Sequence, residues 1–169
     1  MNIVLFGLRC VGKTSVGVSL SDITDKIFFD TDRIIEKRES KTIHEIINEK
    51  GWEYFRLKEK ETIADVSKEN NAVISLGGGA LMDRSNVDLL DKSFFVLLRA
   101  SINTMKTRME KDVPRPSLTK NDSISEIEEI ALTTNWSFLF SLIDPSFHQG
   151  LVSGEKLKRF IEEYIDCVH

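Results

Sequence analysis

Gly7-Leu8-Arg9-Cys10-Val11-Gly12-Lys13-Thr14 follows the pattern G-x-x-x-x-G-K-[ST], and no other feature of this 169-residue chain restricts its fold as much. The motif carries meaning only where a buried strand runs into it and a helix leaves it. The run Ile3-Val4-Leu5-Phe6 supplies the strand, apolar throughout as expected for a strand covered on both faces of a parallel sheet, and a helix is predicted to follow. In such a loop the glycines let the chain wrap a β-phosphate, and successive N–H groups at the helix N-terminus supply partial positive charge. Lys13 is placed to bridge β- and γ-phosphate oxygens and the Thr14 hydroxyl to ligate Mg²⁺. Gly7, Arg9, Cys10, Val11, Gly12, Lys13 and Thr14 are therefore the expected nucleotide-binding positions. A turn that merely joins strand to helix has no need of Gly, Lys and Thr at this spacing. Cys10 fills one of the free positions of the motif, a reading favoured over redox control.

Further short apolar runs, Ile27-Phe28-Phe29, Ala72 to Leu76, Phe94 to Leu98 and more weakly Ser146-Phe147-His148, read as strands. Between them lie charged stretches with apolar residues at helical spacing, such as Ile43, Ile46 and Ile47, or Ile102, Met105 and Met109. Alternating strands and helices predict an α/β domain with a mostly parallel sheet, in one domain spanning 1–169. The polar stretch from about 111 to 123, holding Pro114 and Pro116, reads as a loop between helices, and 153–165 as a closing amphipathic helix. Cys10 and Cys167 are far apart and the three histidines show no ligand spacing, so neither a disulfide framework nor a zinc site is expected. Lys and Arg total 23 against 27 Asp and Glu, a net charge of −4 with both signs mixed, which disfavours a nucleic-acid partner. No run is long and apolar enough for a membrane span and no cleavable leader precedes Asn2, so a cytoplasmic protein is expected.

A kinase built on this loop needs a metal carboxylate, an acceptor site and cations for the transferring phosphoryl. Asp30 and Asp32 follow the second strand, where a spacing of two in extended chain would put both carboxylates on one side at a C-terminal strand edge. One could hold Mg²⁺ through water and the other receive a proton from an acceptor hydroxyl, although Asp32 could instead cap a helix beginning at Arg33. Gly77-Gly78-Gly79 follows the third strand and would let a small ligand approach main-chain N–H groups. Arg56 reads by spacing alone as an exposed partner of Glu59. Arg115 is a cation stiffened between two prolines, which suits an arginine closing on phosphates.

With these residues in place, residues 2–118 resemble the shikimate kinase family, through GLRCVGKT, FFDTDRIIE, GWEYFRLKEKE, SLGGGAL and the RP of PRPSL. The resemblance implies a P-loop NTPase fold of five parallel strands flanked by helices, with an acceptor-binding segment at about 31–60 and a lid at about 111–123. It implies transfer of the γ-phosphoryl of ATP to the 3-hydroxyl of shikimate, with Mg²⁺ as cofactor, small-molecule substrates as the partners and a monomeric state. Lys13, Asp32 and Arg115 would be catalytic, Asp32 as base. Thr14 and Asp30 would hold the metal, Asp32, Arg56, Gly77, Gly78 and Gly79 the acceptor, and Arg108 and Arg115 the nucleotide. One departure bears on the acceptor: Asn135 stands where the family carries a second carboxylate-binding arginine. Losing a charge-assisted bond there would weaken binding by about ten- to a hundredfold. Two alternatives remain open, a kinase for another small hydroxy acid and a nucleotide-binding module with a decayed acceptor site.

Overall fold

Four parallel strands in the order β2-β3-β1-β4 carry the architecture: β1 (Ile3–Phe6), β2 (Ile27–Asp30), β3 (Ala72–Ser75) and β4 (Phe94–Leu97). The computed structural model describes residues 1–110, all within Met1–Asn135, the first of two units into which the chain divides. The register runs from Ile3 opposite Val73 to Leu5 opposite Ser75, from Ile3 opposite Phe94 to Phe6 opposite Leu97, and from Ile27 opposite Ala72 to Asp30 opposite Ser75. Parallel pairing therefore brings Phe6, Asp30, Ser75 and Leu97 to one edge, so the phosphate loop, Asp30-Thr31-Asp32 and the glycine run leave the sheet side by side. Burial follows strand order. Val4, Leu5, Val73 and Ile74 of the central strands are fully buried, whereas Ile27 on β2 is 58% and Phe94 on β4 40% exposed.

The helices are α1 (Lys13–Thr24), α2 (Thr31–Glu39), α3 (Ile43–Val66), α4 (Arg84–Leu89) and α5 (Ile102–Met109). At Gly17, α1 lies so close to β2 that a Cβ there would stand 2.2 Å from the Phe28 ring. Thr42 opens α3 with a reciprocal capping box to Glu45, and Gly51 at φ 83°, ψ 170° breaks α3 into two arms. Ile35, Ile43, Ile46, Ile47 and Phe55 form a core of their own beneath α2 and α3, with Trp52 and Tyr54 packed on it. A second cluster, Val11 with Met105, fastens α5 to the phosphate loop.

The first four predicted strands are present within a residue of their expected ends. The weaker strand at 146–148, the lid at about 111–123 and the closing helix at 153–165 lie outside the described residues. A 3₁₀ turn at Ala80–Met82 and the short α4 follow the glycine run. Both are too short to carry a readable apolar period.

Candidate functional site

The loop after β1 has the backbone its sequence demands. Gly7 has φ 141°, and a Cβ there would lie 2.3 Å from the Leu98 carbonyl oxygen, so a side chain would collide with the end of β4. Gly12 has φ 101° as the N-cap of α1, and Cys10 adopts the left-handed region at φ 60° without being glycine. Alternation of this kind turns successive N–H groups toward one concavity. Lys13 Nζ donates to the carbonyls of Gly7 at 2.9 Å and Leu8 at 2.8 Å, folding its ammonium over the loop. Arg108 on α5 donates to the Cys10 carbonyl at 3.1 Å and ties α5 to the loop.

Thr14 Oγ1 donates to Asp30 Oδ2 at 2.7 Å, joining the start of α1 to the end of β2. A hydroxyl and a carboxylate held together are hard oxygen donors of the kind Mg²⁺ takes alongside water and phosphate. The two aspartates do not share an extended strand, as their spacing had suggested. Helix α2 begins at Thr31, not Arg33, and its N-cap is Asp30, which accepts from the Arg33 N–H at 3.3 Å. Asp32 lies in the first turn of α2, and the capping role considered for it belongs to Asp30. The physical reason is local: the strand ladder ends at Asp30, whose side chain then satisfies an orphan helix donor.

The glycine run is a structured turn, not an open loop. The Gly77 N–H donates to Thr31 Oγ1 at 3.2 Å, and Thr31 Oγ1 donates in turn to the Ser75 carbonyl at 3.1 Å. Thr31 is fully buried and locks β2 to β3 at the site; neither its role nor that of Glu59 was foreseen. A Cβ on Gly77 would lie 2.7 Å from Glu59 Oε1 and 2.9 Å from Asp32 Oδ1, and one on Gly79 would lie 2.6 Å from Arg56 Nη2. The run thus makes room for one cation and two carboxylates.

Arg56 is not the exposed partner its spacing suggested. It donates to Glu59 Oε2 at 2.5 Å, and the Glu59 side chain is only 2% exposed against 36% for Arg56. Burial pushes the Glu59 carboxyl above its ordinary value; Arg56 opposes the rise and Asp32 and Asp83 add to it. The rings of Trp52 and Phe55, each 5.5 Å from the guanidinium carbon, pack beside Arg56.

One cavity of about 620 Å³ joins these parts. Its walls include Arg9, Cys10, Val11, Gly12, Lys13 and Thr14 from the phosphate loop, Asp30 and Asp32 from the β2–α2 junction, Gly78 from the glycine run and Arg108 from α5. Gly7, Arg56, Gly77 and Gly79 are not among the residues that line it. Arg33, Glu36, Ser75 and Leu76 also line the cavity and had not been singled out. Arg115 and Asn135 lie outside the described residues. No helix among the described residues is long and apolar enough to cross a membrane.

Residues 9–141 match the family model described as shikimate kinase. The chain belongs to the shikimate kinase family. A shikimate kinase from Clostridium botulinum is 41% identical over 132 residues, covering 76% of this chain and 77% of the relative. A bifunctional shikimate kinase/3-dehydroquinate synthase from Thermotoga maritima is 37% identical over 130 residues, covering 76% of this chain but 26% of that longer protein. Among solved structures, shikimate kinase from Acinetobacter baumannii in complex with shikimate has a TM-score of 0.78 at 22% identity, covering 99% of this chain and 92% of its own, a likeness of fold. The α/β P-loop architecture expected of a shikimate kinase is thus the one the chain has.

Proposed function

We propose that this member of the shikimate kinase family transfers the γ-phosphoryl of ATP to the 3-hydroxyl of shikimate, giving shikimate 3-phosphate and ADP. The reading rests above all on one cavity whose wall carries both the phosphate loop from Arg9 to Thr14 and Asp32, with the ion pair of half-buried Arg56 and buried Glu59 nearby. The two substrates would meet there with the γ-phosphate near Lys13 and the acceptor near Asp32 and Gly78. As the acceptor oxygen bonds to the γ-phosphorus, the bond to the bridging oxygen of ADP breaks and the hydroxyl proton passes to Asp32. Lys13 leaves its loop carbonyls to neutralise developing charge on the phosphate oxygens. Thr14 and Asp30 would hold Mg²⁺, which when bound supplies further neutralisation of the phosphates. Arg108, bonded to the Cys10 carbonyl of the loop, would contact the nucleotide, as its place in the family pattern implies. Arg115 is assigned to the lid and to the transferring phosphoryl through its place in the family pattern. The protein is taken to act as a cytoplasmic monomer on two small substrates.

A coupled assay of ADP release, with ATP, Mg²⁺ and millimolar shikimate, tests the proposal. Shikimate-dependent turnover is expected. ADP release no faster than with ATP alone overturns it, and release with another hydroxy acid in its place would identify a different acceptor.

A further inference from the structure

We infer that Thr31 is a positioning residue for the acceptor, an inference that rests on the function proposed above. Its hydroxyl accepts from the Gly77 N–H at 3.2 Å and donates to the Ser75 carbonyl at 3.1 Å, and the residue is fully buried. Taking a hydroxyl out of water is costly, and a valine would fill nearly the same space without that cost. The value of the hydroxyl therefore lies in its two bonds. They tie the first residue of α2 both to the last residue of β3 and to the first glycine of the run.

Thr31 does not line the cavity, but the residues next to its bonds do. Asp32 follows it in the chain, Ser75 accepts its proton, and Gly78 follows the amide that it holds. Asp32 Oδ1 is also set against Gly77, 2.9 Å from where a Cβ would stand. A shift of the Gly77 amide would therefore disturb both the carboxylate assigned as base and the main chain assigned to the acceptor. The metal side has anchors of its own. Asp30 is opposite Ser75 in the strand ladder, accepts from Thr14 Oγ1 at 2.7 Å and accepts from the Arg33 N–H at 3.3 Å, and none of these needs the Thr31 hydroxyl. At the glycine run, the Gly77 carbonyl accepts from the Ala80 N–H at 3.2 Å, which fixes the exit of the turn but not its entry. Removing the hydroxyl should loosen the acceptor half of the site and leave the phosphate half in place.

Thr31→Val and Thr31→Ser, assayed for ADP release with shikimate and ATP varied in turn and melted alongside the wild type, test the inference. Thr31→Val should raise the KM for shikimate by about tenfold while the KM for ATP stays within about twofold. Thr31→Ser keeps the hydroxyl and should bring the KM for shikimate back to within about threefold of the wild type. A purely structural role would lower the melting temperature and the active fraction, reducing the apparent kcat and leaving the KM for shikimate unchanged. That outcome overturns the inference, as does a serine variant no better than the valine one or a loss that falls on ATP. If Thr31→Val does not fold, Thr31→Ala, which puts no methyl in place of the hydroxyl, is read against Thr31→Ser in the same way. A wild type with no shikimate-dependent ADP release overturns the proposed function itself, whereas an active wild type matched by Thr31→Val overturns only this inference.

Discussion

The two halves of the cavity are built on different principles. On the nucleotide side, eight consecutive residues suffice: positive φ at Gly7, Cys10 and Gly12 sets the concavity, and Lys13 and Thr14 begin the helix that follows. On the acceptor side nothing is consecutive. Thr31, Arg56, Glu59 and the glycine run come from three separate stretches of chain, and they meet only because β2 pairs with β3 and α3 returns across the edge of the sheet. Main chain does the work in one half, buried side chains in the other. A backbone site tolerates change at its free positions, whereas a side-chain site depends on each partner being present.

Replacing the lysine of the first half should have the largest effect. Lys13→Ala removes the one cation that the loop motif itself supplies, and kcat should fall by about 10³ or more in the ADP-release assay. A fall of less than tenfold would mean that the phosphates are neutralised from elsewhere. Gly79→Ala probes the second half. Its Cβ would lie 2.6 Å from Arg56 Nη2, so the guanidinium must move. The KM for shikimate should rise by about ten- to a hundredfold, the worth of one charged hydrogen bond, with the KM for ATP little changed. Equal losses for both substrates would show that the halves are not separable.

The same difference decides how much could be read from the chain before folding. GLRCVGKT was legible, together with its flanking strand, because its chemistry is local and its spacing rarely serves another purpose. The strand runs were legible because central strands are apolar on both faces. Asp30 and Asp32 were singled out in the sequence, and both line the cavity, but their geometry was not legible, since a two-residue spacing fits a strand as well as a helix start, and only the end of the β2–β3 ladder distinguishes them. Glu59 was misread as half of a surface pair because an i,i+3 spacing carries no information about what covers it. Thr31 was passed over for a similar reason, its partners Ser75 and Gly77 lying 44 and 46 residues away. Arg56 was singled out only through family likeness, and its ion pair with the buried Glu59 is what folding adds.

Glu59 also gives the smallest and most discriminating test of the comparison. Its carboxyl is shifted above the ordinary value of 4.5 mainly by burial, with Asp32 and Asp83 opposing ionisation and Arg56 favouring it. A carboxyl raised by folding contributes stability that is complete below the unfolded value and lost as pH rises through the folded one. Glu59→Gln cannot ionise. The melting temperature of the wild type relative to Glu59→Gln should therefore decline as pH climbs above 4.5, by about 2–4 °C for each kcal/mol lost. Thermal melts of both proteins between about pH 4 and pH 8 measure that difference directly. A difference that instead grows in favour of the wild type would mean that the ion pair with Arg56 outweighs desolvation. The acceptor half would then be held by charge, and Gly79→Ala, which displaces the same guanidinium, should lose stability as well as affinity.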